Sequence, residues 1–163
     1  MNIWISAIAA VAAQPMLLLL RMLPDYLSSP QSHYGIGFVL FAVVAVSATL
    51  VLVLGVPAFL ALRKLRRDSW RSLGIVGFVL GALSAATSWP SRLDGYSAGQ
   101  NWHGKYIETY VDGVPTAYAW FTYAEGVALF ALHGVVGALV FYGVWRWRQY
   151  PKQSLQRRSS DGG

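Results

Sequence analysis

Between Tyr34 and Leu62 the chain carries no charged side chain, and the residues that follow at once are Arg63-Lys64-Leu65-Arg66-Arg67. An apolar run longer than the ~20 residues that cross a hydrocarbon core has no polar face to offer water, so a membrane helix is expected and a soluble bundle is not. The run exceeds the span it needs and should tilt or extend past the interface, with Gly55 and Pro57 predicting a kink near its basic end. The basic cluster, with Arg71 just beyond it, sets an orientation, because short loops rich in Lys and Arg stay in the cytoplasm. The same charges attract anionic head groups, which gives Arg63, Lys64, Arg66 and Arg67 a second reading as a lipid patch, although topology alone accounts for them.

Composition supports the membrane reading: of 163 residues, 55% are hydrophobic and 12% charged, and the mean hydropathy is +0.43. A net charge of +6 raises the question of nucleic acid. The basic residues flank apolar segments instead of covering a polar surface, so no nucleic-acid partner is expected. The absence of cysteine excludes disulfides, thiolate nucleophiles and cysteine metal sites, and with them thiol oxidoreductases, tetraspanin-like proteins and claudin-like proteins.

Three more apolar segments, at about 3–23, 72–89 and 122–147, join the one at 34–62. They predict an all-α membrane protein: a four-helix transmembrane bundle over residues 1–149, with a small extracytoplasmic β-hairpin between helices 3 and 4. In the first segment Gln14-Pro15 predicts a bent or locally opened helix whose amide bonds to a neighbouring helix. Ala10-Val11-Ala12 resembles a signal cleavage site, but no basic residue precedes the segment and Leu17 to Leu20 continues it, so it reads as a retained span. Arg21 to Ser32, with Pro24, Asp25 and Pro30, reads as a connector. In the third segment Gly77, Gly81 and Ala85 share one helical face, with Gly74 a turn earlier, and allow another backbone to approach closely. Trp145 and Trp147 anchor the fourth beside Arg146 and Arg148, and the basic tail at 150–163 is expected to be disordered. Both Arg/Lys-rich places then face the cytoplasm, which predicts a multi-pass protein of the cytoplasmic (inner) membrane with both termini on the cytoplasmic side.

Gln14, Glu125 and His133 are the polar groups expected within the spans. Glu125 and His133 lie on nearly one helix face about 12 Å apart, at roughly 1.5 Å per residue. They suggest a channel or transporter, which four spans could build only as an oligomer. Haem at His133 would require a second membrane histidine, and His33 and His103 fall at a boundary and in a loop. Asp94, Glu108, Asp112 and His103 do not converge in a hairpin, and no catalytic spacing occurs, so neither enzyme activity, metal nor cofactor is expected.

The loop at about 90–121 remains. Lys105–Val111 and Val114–Trp120 read as two β-prone runs around an Asp112-Gly113 turn. Trp102, Tyr106, Glu108, Tyr110, Tyr118 and Trp120 form its candidate partner-binding set, because Tyr and Trp dominate protein interfaces and an isolated hairpin needs a covering surface. The expected function is therefore recognition of another protein, as an accessory subunit or an immunity-type protein of a bacterial membrane. A homo-oligomer is also possible.

Overall fold

The computed structural model describes residues 3–28, 35–102 and 105–149. It is mostly helical: α1 (Ile3–Ser28), α2 (Ile36–Leu50), a π-turn (Val51–Gly55), α3 (Val56–Lys64), α4 (Trp70–Ala86) and α5 (Ala117–Trp147). Between α4 and α5 lies a small antiparallel sheet of β1 (Ala98–Trp102), β2 (Lys105–Val111) and β3 (Val114–Pro115), in the order β1-β2-β3. Among the described residues three helical stretches are long and apolar enough to cross a membrane: Ile3–Leu23, Ile36–Lys64 and Ala117–Trp147. The apolar α4, at 17 residues, is shorter. The tail beyond Gln149, His33 and His103 lie outside the described residues.

Several boundaries differ from the sequence expectation. Instead of yielding to a connector at Arg21, α1 runs on through Pro24 to Ser28. A proline forfeits one helical N–H, which near a helix end is not enough to stop propagation. Where a kink is expected at Gly55 and Pro57, the helix contains a π-turn, in which the Val56 N–H donates to the Val51 carbonyl. Pro57 has no N–H to close the normal turn, and the widened register accommodates that locally. The third helix is shifted to 70–86, with Ser69 as its N-cap, whose Oγ accepts from the Ser72 N–H at 3.2 Å. The fourth begins at Ala117, several residues before the expected start.

Helix α5 is the hub, with α4 along one side and α1 along another, while α2 packs on α1. Glycines make the α4–α5 seam close. A Cβ on Gly77 would collide with the Gly134 carbonyl, one on Gly81 with the Phe130 carbonyl, and one on Gly134 with the Gly77 carbonyl. Ala85 continues the face half-buried, whereas a Cβ on Gly74 would meet nothing, so the seam starts at Gly77. Backbones this close gain dispersion and weak Cα–H···O contacts that larger side chains would prevent.

The apolar core is concentrated at the end where α3 and α5 finish. Phe59 of α3 is fully buried, with edge-on contacts to Phe141 at 4.9 Å and Trp145 at 5.1 Å between ring centroids. Ala7, Ala10 and Leu73 complete the cluster. By contrast α2 has no buried residue.

Substituting Gly81→Val should lower stability by about 2 kcal/mol, since the added methyls meet backbone that cannot give way. Gly74→Ala, on the same helix in open space, should leave it unchanged or slightly raised. Unfolding midpoints in mixed micelles distinguish the two.

Candidate functional site: the sheet mounted on α5

The turn that defines the sheet forms at the expected place. Asp112 and Gly113 both have positive φ, at 46° and 80°, and Val111 pairs with Val114 across them. Two consecutive left-handed residues match the right-handed twist of the flanking strands. The turn is tucked in: the Gly113 carbonyl accepts from the Leu93 N–H, the Gly113 N–H donates to the Tyr96 carbonyl, and the Asp112 N–H donates to Ser97 Oγ. A Cβ on Gly113 would strike the Leu93 carbonyl, so glycine is required there for space as well as conformation.

The second expected strand is corrected. Only Val114 and Pro115 pair with β2, and the chain turns helical at Ala117, which places Tyr118 and Trp120 on α5. Pro115 has no N–H for a ladder, and Thr116 is an N-cap, so Ala117-Tyr-Ala-Trp120 follows it into a helix. The opposite edge carries β1, which the sequence did not reveal, since Ala-Gly-Gln-Asn-Trp has little strand propensity. The instability of a lone hairpin was the available signal that something must lie beside it.

Thr116 joins sheet to helix. Its Oγ1 donates to the Glu108 carbonyl at 2.8 Å, its N–H donates to the Thr109 carbonyl at 2.9 Å, and its Oγ1 accepts from the Ala119 N–H at 3.4 Å. Two struts reinforce this joint. Gln100 Nε2 donates to Tyr118 Oη at 3.0 Å, tying β1 to α5, and Tyr123 Oη donates to the Ala86 carbonyl at 2.9 Å, tying α5 to α4.

The six candidate partner-binding residues therefore divide. Tyr106 and Glu108 share a face of the sheet, but Glu108 pairs with Gly99 and Tyr110 with Ala98, and this register shift interrupts the alternation before Tyr110. The Tyr106 ring lies over Gly99, where a Cβ would come within 2.5 Å of its Cζ, yet the side chain is 67% exposed. Glu108 is exposed beside it, and Tyr110 is half-buried with its ring edge-on to Tyr96 at 5.4 Å. Trp102 ends β1, paired with Lys105. Tyr118 is a strut, and Trp120 is half-exposed on α5, edge-on to Tyr123 at 6.0 Å.

The polar groups of the helices are brought together in pairs. Gln14 is buried, and its Nε2 donates to the backbone carbonyl of His133 at 3.2 Å, not to the imidazole. Gly137 makes room for it, since a Cβ there would lie 2.8 Å from that nitrogen. Nearer the sheet, Arg21 of α1 forms an ion pair with Glu125 of α5 at 3.8 Å, with both side chains substantially exposed. Among the described residues no group of three His, Asp or Glu side chains is placed to hold a metal ion. Arg63, Lys64, Arg66 and Arg67 lie at the other end of the molecule, where α3 gives way to α4.

No protein-family model matches the chain, and no curated protein or solved structure does either.

Replacing Thr116 by valine keeps the shape and removes Oγ1. The expected cost is about 1–2 kcal/mol, from loss of the cap and of the bond to Glu108. Hydrogen exchange should accelerate at Ala119 and through β2 while the α4–α5 seam stays protected.

Proposed function

We propose that this chain is a small integral membrane protein that acts by binding another protein through the Tyr106/Glu108 face of its sheet. In this reading α4 spans the bilayer with the other three, completing a four-helix bundle. Its length of 17 residues is at the lower limit for a crossing, and its close seam with α5 supports a parallel course through the same slab. The Arg63–Arg67 cluster and the basic end of α5 face the cytoplasm, and both termini lie on that side of a cytoplasmic membrane. The sheet then stands outside. Helix α5, roughly 46 Å long at 1.5 Å per residue, exceeds a ~30 Å hydrocarbon core by about three turns, enough to hold the sheet clear of the lipid.

The exposed but ordered Tyr106 ring carries the proposal. An aromatic side chain already held over Gly99 loses little conformational freedom on binding, which is what favours tyrosine at interface centres. The adjacent Glu108 carboxylate supplies a charge to select a basic group on the partner. β1, Tyr96 and α5 cover part of the hairpin, so the partner is needed for function and not for folding. An accessory subunit of a membrane complex and an immunity-type shield against a membrane-acting toxin both fit this mode of action. The channel or transporter alternative draws less support, because Gln14 and Glu125 are engaged in holding α1 to α5.

Complexes isolated in mild detergent from cells of origin should contain the partner. The double variant Tyr106→Ala/Glu108→Ala should retain insertion and unfolding midpoint but capture at least about ten-fold less, as for the loss of one interface anchor. Undiminished capture would exclude this face.

A further inference from the structure

The two edges of the sheet are finished differently. On the β3 side the ladder ends after Val114 and Pro115, and Thr116 takes up the next carbonyls of β2 through its N–H and Oγ1. A very short strand, a proline and a capping side chain close an edge to further pairing. On the other side β1 is outermost, and among the described residues no backbone group pairs with it except those of β2. Ala98–Trp102 contains no proline and no charged residue. Every second residue of an outermost strand turns its N–H and C=O away from its neighbour, so β1 presents a row of both that nothing blunts.

Three features prepare this edge to receive a strand. The bulge at its start is filled: Thr109, the residue of β2 between those paired with Gly99 and Ala98, donates from Oγ1 to the Ala98 carbonyl at 3.0 Å. Gly99 to Trp102 is left as a regular edge. The face of β1 toward α5 is braced, since Gln100 Nε2 donates to Tyr118 Oη. The opposite face is open and carries Tyr106 and Glu108, paired with Asn101 and Gly99. Tyr106 leans diagonally from Asn101 to Gly99, where a Cβ would lie 2.5 Å from its Cζ and 2.6 Å from its Oη. The tip of the ring therefore lies above β1, at the margin of the sheet. Gly99 puts no side chain between Glu108 and the next strand position, about 10 Å from β2 at two strand spacings, and the Tyr106 ring spans that gap. Among the described residues no ion pair engages Glu108.

We propose that β1 receives an extended segment of the partner protein as a fourth strand, with an arginine or lysine of that segment opposite Gly99. Backbone hydrogen bonds supply the attachment, and the side chains at alternate positions supply the choice of partner. A basic side chain opposite Gly99 lies along the Tyr106 ring and reaches over it toward the Glu108 carboxylate, combining a cation–π contact with charge complementarity. A second copy of this chain fits less well, because its own β1 is uncharged and brings Glu108 no cation. The inference rests on the sheet being the recognition site, and it specifies the form of the partner: an extended strand with a basic residue.

The isotope-labelled full-length chain in micelles is titrated with the peptide acetyl-Thr-Val-Thr-Arg-Thr-Val-Thr-amide at millimolar concentration, and its backbone amide resonances are followed. Saturable shifts are expected at Gly99 to Trp102 and none at Gly77 or Gly134 in the α4–α5 seam. The same peptide with glutamate in place of arginine should bind at least about ten-fold more weakly, and a fully backbone-N-methylated version should not bind. Glu108→Lys should reverse the preference between the arginine and glutamate peptides, a result that loss of folding does not mimic. No saturable shift at β1, equal binding of the N-methylated peptide, or a preference unchanged in Glu108→Lys would overturn the proposal. Shifts at β1 that grow with protein concentration in the absence of peptide would overturn it in favour of a second copy. Capture from cells that depends on Tyr106 and Glu108, with no peptide engaging β1, would remove the strand addition and leave the sheet face as the recognition site.

Discussion

The close approach of α4 and α5 underlies the other features of this molecule. Gly77, Gly81 and Gly134 leave no room for a side chain between the two backbones, and the seam fixes both axial register and rotation. At one end that register delivers the last turn of α4 to Tyr123 and the chain into the sheet. At the other it brings Leu73 against the Phe59, Phe141 and Trp145 cluster and sets the α3–α4 connection beside the end of α5. A shift of one turn along the seam would move these junctions by about 5.4 Å and dissolve both. In an apolar solvent, where burying leucine against leucine gains little, close backbone packing is the available means of holding such a register.

Much of this was legible because membrane helices and tight turns carry strong local signals. The apolar run to Leu62, the four-residue spacing of Gly77 and Gly81 and the Asp112-Gly113 turn each reflect a constraint imposed by a few neighbouring residues. What was not legible depends on contacts distant in sequence. Ala98–Trp102 becomes a strand because β2 presents an open edge, not because of its own residues. Tyr118 and Trp120 looked like strand residues by type, and were reassigned to a helix by Pro115 and Thr116 immediately before them. Gln14 was expected to find a neighbouring helix, and did, but the identity of the acceptor and the space afforded by Gly137 required the fold. The left-handed backbone of Arg66 has no sequence signature at all.

The two ends of the molecule differ in chemistry as well as position. The sheet end presents an exposed tyrosine and a carboxylate on a scaffold fixed through Thr116. The basic end presents arginines around a cavity. Between them, two polar contacts join α1 to α5: Gln14 to a backbone carbonyl, and Arg21 to Glu125. In the proposed reading, the sheet end recognises a partner on one side of a membrane and the basic end lies on the other.

That account depends on the two ends facing opposite sides of the bilayer. Because the sequence contains no cysteine, single reporters can be introduced without background. In sealed cells or inside-out vesicles, a membrane-impermeant maleimide should label Tyr106→Cys only from the outer side and Lys64→Cys only from the cytoplasmic side. Labelling of both from the same side would contradict the account.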